Sequence, residues 1–142
     1  MTNRILGLDY GTKRIGVAIS DGLGLSAHPQ DYIENTDDCF KKIKSIVEDY
    51  NIRTIVLGMP LTESGEKGPK ALEVDDFSQT LSKQLSSDCS FIFWDERYST
   101  KAVTRQLIQQ DMSRKKRKEK VDSQAAAFIL QGYLDQLASS GL

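Results

Sequence analysis

The chain has 142 residues and a mass of 15.9 kDa, the length of one domain rather than two. Its 39% hydrophobic and 27% charged residues exclude a disordered or fibrous chain, and a domain of this size needs no disulfide or metal staple to fold. Nineteen Lys and Arg against twenty Asp and Glu leave a net charge of −1, so total charge points to neither a nucleic-acid nor a membrane partner.

The N-terminal apolar group Ile5, Leu6 and Leu8 is far shorter than a signal-peptide core or a membrane span. Cys39 and Cys89 have no CxxC spacing, which argues against a disulfide framework or a structural zinc site. The expectation is a cytoplasmic protein with no membrane partner and two reduced, packed thiols.

In chain order, Arg4 to Asp9 reads as a strand and Gly11 as a turn. Ile15, Val17 and Ile19 alternate with Gly16, Ala18 and Ser20, a period-two strand close enough to the first to form a hairpin. A weaker strand falls between Ser26 and Ile33, where Pro29 predicts an edge position. Thr36, Asp37 and Asp38 open a helix with Phe40, Ile43, Ile46, Val47 and Tyr50 at helical spacing.

Ile52 to Gly58 is a continuous apolar run, suited to a buried strand. Met59 to Gly68 reads as a loop, and Pro69 suits the first turn of a helix striped by Ala71, Val74, Phe77, Leu81 and Leu85. Ser90 to Trp94 predicts another short buried strand. Ser99 can cap a helix carrying Val103, Leu107 and Ile108. The final helix starts near Asp122 and is apolar on most sides, which predicts packing against a sheet. Antiparallel strands lead and strands then alternate with helices, so the expected fold class is α/β, a mixed sheet flanked by helices.

The candidate chemistry lies at element ends, where ligands sit in such sheets. Asp9 ends the first strand, Asp95 and Glu96 end the last, and Asp122 opens the final helix. Clustered carboxylates repel one another without a cation, and their oxygens suit Mg²⁺ or Mn²⁺. Two ions roughly 3.5–4 Å apart would support in-line phosphodiester hydrolysis. Each acid also has a plainer reading. Asp9 can accept hydrogen bonds from its turn, Asp122 can be a helix cap, and Glu96 can pair with Arg97. In a continuing strand Asp95 and Glu96 point to opposite faces. Glu96 is preferred for its reach, with Asp95 in reserve.

Charge is unevenly distributed. Arg97 to Lys120 holds nine basic residues, including Arg114, Lys115, Lys116, Arg117 and Lys118, against Asp111 and Glu119. That is +7 locally and leaves −8 for the rest of the chain. Such a strip beside an acidic site would grip phosphates, although a charge run alone is commonly a solvated, mobile loop. Lys13, in the first turn, is a further phosphate contact, unless the turn is only structural. The single histidine, His28, reads as structural, no nucleophile–histidine pair is evident, and Trp94 reads as core.

Leu6-Gly-Leu-Asp9-Tyr-Gly-Thr-Lys-Arg-Ile-Gly-Val-Ala-Ile-Ser-Asp21 closely resembles the opening block of the YqgF (RuvX-type) family. Three more blocks agree in order and spacing: Val56-Leu-Gly-Met-Pro-Leu61 with Gly65 and Gly68, Asp95-Glu-Arg-Tyr-Ser-Thr100 with Ala102, and Val121-Asp-Ser-Gln-Ala-Ala126 with Ile129-Leu-Gln131. The first block alone is shared with actin-like ATPases and sugar kinases; the four together are highly specific and span essentially the whole chain. An ATPase of that type needs two lobes, and 142 residues make one.

The resemblance implies a single ribonuclease H-like domain over residues 1–142 with a mixed five-stranded sheet. The implied activity is a metal-dependent nuclease maturing the 5′ end of pre-16S ribosomal RNA, or a Holliday junction resolvase. The family's acidic positions match Asp9, Glu96 and Asp122. Tyr98 and Ser99 stand where the family has Leu or Phe and Thr or Ser, and neither is a proposed ligand. The expected partners are pre-ribosomal RNA, branched DNA and ribosomal particles, and the expected state is a monomer or a homodimer. A rival from another class is a non-catalytic RNA-binding factor in ribosome assembly, using the basic strip and keeping the acids only for structure.

Overall fold

The computed structural model describes residues 4–62, 64–95 and 114–140, with the side chains of the last helix described from residue 123 to 139. Strands β1 (Ile5–Asp9) and β2 (Arg14–Ser20) form the expected antiparallel hairpin, with Leu8 opposite Val17 and Asp9 opposite Gly16. The weak third strand is two short pieces on β2, β3 (Ala27–Pro29) and β4 (Ile33–Glu34). Pro29 ends β3, at the margin of the sheet, where a missing N–H costs no ladder bond.

Helix α1 (Cys39–Asp49), strand β5 (Thr54–Met59), helix α2 (Pro69–Gln84) with Pro69 in its first turn, strand β6 (Ser90–Asp95) and helix α3 (Arg114–Ser140) complete the described elements. The main sheet runs β3-β2-β1-β5-β6, with β4 a sixth strand off that path. The expected five strands are therefore present, plus the piece that splits from the third. β1, β5 and β6 are parallel and β2 runs against them.

Both faces of the centre are covered. Leu6, Leu8, Ile15, Val17, Ile55 and Leu57 pack with Ile43 and Val47 of α1 and with Val74, Phe77 and Leu81 of α2. The opposite face of β1 and β2 carries small residues, Gly7, Gly16, Ala18 and Ser20, and α3 lies there through Ala126, Ala127, Ile129 and Leu130. Small residues on both surfaces let helix and sheet approach closely, the physical consequence of the alternation in Ile15–Ser20. Among the described residues no helix is long and apolar enough to cross a membrane.

Three expectations need correction. The final helix starts at Arg114, not near Asp122, so the basic run is its opening turns rather than a preceding loop. Lys, Arg and Glu are good helix formers and no Gly or Pro interrupts residues 114 to 131. Asp122 consequently lies inside α3 and does not cap it. Strand β6 is not fully buried, with Phe93 46% exposed and its remaining apolar side chains half-buried. The helix expected after Ser99 lies outside the described residues.

Asp21 fixes the β2–β3 connection. Its carboxylate accepts the Leu25 N–H at 2.8 Å and the Ser26 hydroxyl at 3.2 Å, and the Leu25 bond foremost holds its pKa below the usual carboxylate value. Cys39 is buried and Cys89 half-buried, both free, and burial raises both thiol pKa values, so they stay protonated at neutral pH.

Candidate active site

Parallel pairing of β1 with β5 and of β5 with β6 brings the carboxyl ends of all three strands to one edge of the sheet. Asp9 is the last residue of β1 and is half-buried there. Alternation along β1 sets its face: Leu6 and Leu8 point to α1 and α2, so Ile5, Gly7 and Asp9 point to α3.

Helix α3 packs tightly on β1 at Gly7. A Cβ there would lie 2.8 Å from Leu130 Cβ and 3.0 Å from the Ala126 carbonyl oxygen. The direction of α3 follows from its ends. The Ser123 hydroxyl donates to the Gln30 carbonyl just past β3. Farther along, the Gln131 side chain accepts the Ala27 N–H at 2.9 Å and donates to the Leu25 carbonyl at 3.0 Å. Ala27 pairs with Ser20 at the far end of β2, so α3 runs against β1 with its N-terminal half toward the edge that carries Asp9.

Position 122 is four residues before Ala126, about 6 Å along the helix axis. Asp9 is two residues beyond Gly7, about 6.6 Å along the strand. From one point of contact, the backbone of the two positions advances by matching steps to the same edge. The Asp122 side chain lies outside the described residues, as do Glu96 and Arg97 and the side chains of Arg114, Lys115, Lys116, Arg117 and Lys118, whose backbones form the start of α3. Among the described residues no three Asp, Glu, His or Cys side chains converge, and Asp9 is the one proposed metal ligand whose side chain is described.

Asp95, the reserve candidate, does not share the Asp9 face. It is in register with Met59, which packs on the α1 and α2 side. Its neighbour Trp94 faces α3, where a Cβ on Gly132 would lie 2.9 Å from the indole. Trp94 is thus a packing residue, as expected. His28 bonds with the Ser26 hydroxyl at 3.2 Å and is opposite Ile19 in the ladder, away from the Asp9 edge.

The turn after Asp9 is held from both sides. Tyr10 packs on Phe77, with ring centroids 4.9 Å apart, and Phe77 in turn meets Phe40 at 5.4 Å. The Asn35 side-chain amide donates to the Gly11 carbonyl at 2.8 Å, and its backbone N–H donates to the Lys13 carbonyl at 2.9 Å. Lys13 is exposed on this turn. Sequence reasoning misses Asn35, because its partners are 22 and 24 residues away in the chain; the local signal is only an Asn between short β4 and a helix start. It also misses the Ser123–Gln30 bond that ties α3 to the edge.

Relatives in Sulfurihydrogenibium sp. and Geobacillus kaustophilus are 44% and 45% identical over 138 and 136 residues. The matches cover 97% and 93% of this chain and 94% and 97% of theirs, and both relatives bear the name "Putative pre-16S rRNA nuclease". In fold, the chain is similar to Thermus thermophilus RuvC in complex with a Holliday junction, with a TM-score of 0.54 and 9% identity over 97% of each chain. It is likewise similar to the Fowlpox virus resolvase in complex with Holliday junction DNA, with a TM-score of 0.58 and 17% identity over 94% of this chain and 98% of that one. These two likenesses establish the fold alone, the resolvase-type α/β architecture. Residues 3–136 match the family described as "RuvX: Holliday junction resolvase", and the chain belongs to that family.

Proposed function

We propose that this protein is a divalent-metal-dependent nuclease that hydrolyses a phosphodiester bond of pre-16S ribosomal RNA, with Asp9, Glu96 and Asp122 as its metal ligands. The observation that carries this reading is the matched advance of Asp9 and position 122 from the Gly7 contact to one edge of the sheet. Asp9 fits a hard cation: it offers only carboxylate oxygen, from the end of a strand fixed on both sides by the hairpin and by β5. For Glu96 the support is alternation. Asp95 is on the α1 and α2 side, so a strand continuing by one residue would turn position 96 to the Asp9 face.

When bound, Mg²⁺ or Mn²⁺ would lower the pKa of a water and stabilise charge on the phosphoryl oxygens. The chain's own residues bind and orient. The Asn35 clamp fixes the turn that presents Lys13 to a phosphate. The helical run Arg114–Lys118 supplies cations from the same end of α3 as position 122. No described thiol is a ready nucleophile, since burial raises the pKa of both.

The relatives' names favour RNA, and the family description favours a four-way DNA junction. Purified protein incubated with a pre-16S leader RNA, a four-way DNA junction and a plain duplex, each with Mg²⁺, Mn²⁺ or chelator, decides between them. Cutting of the leader RNA lost with chelator is the expected result. Junction cutting by a dimer in solution would establish the resolvase instead, because two strands must be cut symmetrically.

Replacing Arg114, Lys115, Lys116, Arg117 and Lys118 by Gln is expected to weaken RNA binding and flatten its salt dependence. The slope of log K against log salt should fall by about 0.7 for each single-strand phosphate that is no longer neutralised. An unchanged slope would remove the run from the interface. Loss of function here, with full function retained in Asp9→Asn, would favour the non-catalytic assembly factor.

A further inference from the structure

Beside the Asp9 edge lies a groove of about 860 Å³, within the size range of small-molecule sites. One wall is the β3–β4 connection with Gln30, Asp31 and Tyr32, and another is α3 with Ser123 and Gln124. Glu34 of β4 and Lys42 of α1 complete it. The Ser123–Gln30 bond ties the two walls together one residue from position 122. The groove therefore opens where the proposed cleavage site ends.

The groove carries two acids, Asp31 and Glu34, and two cations, Lys42 in its lining and Arg14 against Tyr32. Both carboxylates are exposed and can accept from hydrogen-bond donors. The aromatic element is Tyr32, half-buried, with the Arg14 guanidinium 5.4 Å from its ring centroid. A planar cation and a phenol ring in contact form a stacking platform of the kind that holds single-stranded bases. Gln30 and Gln124 each add an amide with both a donor and an acceptor.

We propose that this groove binds an unpaired guanine base of the RNA substrate, splayed out next to the scissile phosphate. Guanine is the base whose pairing edge presents two adjacent N–H donors, the arrangement that one carboxylate accepts in bidentate fashion. Uracil offers one donor between two acceptors, which a carboxylate would repel. Stacking on Tyr32 holds the base, Glu34 reads its donor edge, and Lys42 of the lining is left for the backbone. The proposal rests on the nuclease reading for its substrate, and it adds a preference for unpaired guanine that the cleavage chemistry does not require.

The test is binding of the full chain to three seven-nucleotide RNAs in chelator, followed by fluorescence anisotropy. One has a guanosine among uridines, one an abasic site at that place, and one inosine, which lacks the exocyclic amine. Stacking contributes about 1–3 kcal/mol per base, so the guanosine strand should bind about tenfold more tightly than the abasic one, with inosine between them. Tyr32→Leu should erase the difference between guanosine and abasic strands, and the surface change Glu34→Gln should erase that between guanosine and inosine. Asp9→Asn should preserve both. Equal binding of the guanosine and abasic strands by the unmodified protein would overturn the proposal, as would persistence of the full preference in both groove variants. Cleavage of the leader RNA is scored separately. Cutting without a guanine preference defeats only the subsite, and a guanine preference without cutting defeats only the nuclease reading.

Discussion

Asp9→Asn is expected to abolish cleavage while leaving the fold and RNA binding intact. The substitution is nearly isosteric, and Asp9 ends a strand whose stability comes from Leu6 and Leu8, both fully buried, so the melting temperature should shift little. What changes is charge: a carboxylate that offers two anionic oxygens becomes a neutral amide that offers one. Metal stabilisation of a phosphoryl transition state contributes several kcal/mol, and about 4 kcal/mol corresponds to roughly a thousandfold in rate. Single-turnover cleavage of the leader RNA should fall by at least about that factor, with the dissociation constant in chelator unchanged or lower, because one negative charge has left the site. Cleavage within about tenfold of the unmodified protein, a difference of only about 1.4 kcal/mol, would remove Asp9 from the ligand set.

How much of this site was legible in sequence differs from residue to residue. The β1–β2 hairpin was, because Ile15, Val17 and Ile19 alternate strictly with small residues and the structure puts each set on its own face. The end of β1 at Asp9 is legible too, because the turn residue Gly11 follows it closely. The start of α3 was not legible. Five consecutive cations repel one another and look like a solvated loop, yet each is a good helix former, and burial of Ala126, Ile129 and Leu130 downstream stabilises one continuous helix. The choice between Asp95 and Glu96 could be framed from sequence as a question of faces. Settling where Asp95 points required the register, Met59 opposite Asp95, which no local pattern contains. The groove was not foreseen at all. Its walls come from residues about ninety positions apart, and Tyr32 has no signature distinguishing it from any surface tyrosine.

The small residues under α3 lead to the second large effect. Gly7→Ala places a methyl 2.8 Å from Leu130 Cβ and 3.0 Å from the Ala126 carbonyl oxygen. Neither atom can swing aside, because one is attached directly to the helix backbone and the other belongs to it. The helix itself must move, and overpacking of this kind costs about 1–3 kcal/mol. Gly132→Ala is the matched control on the same helix: its methyl would meet the Trp94 indole at 2.9 Å, a half-buried side chain on β6 that has rotamers to change. Thermal melts should therefore rank Gly7→Ala below Gly132→Ala. Activity should separate them further. Gly7 lies at the contact from which Asp9 and position 122 are both measured, so lifting α3 by a few tenths of an ångström widens the spacing between two proposed ligands, whereas moving the indole leaves that spacing alone. In the folded Gly7→Ala protein, assayed well below its melting temperature, the maximal cleavage rate should fall by about tenfold or more, since misplacement of catalytic groups is costly even at sub-ångström scale. RNA affinity should hold. A Gly7→Ala protein that is less stable but fully active at low temperature would show that the α3–β1 spacing does not set the chemistry, and would separate the packing of this fold from its function.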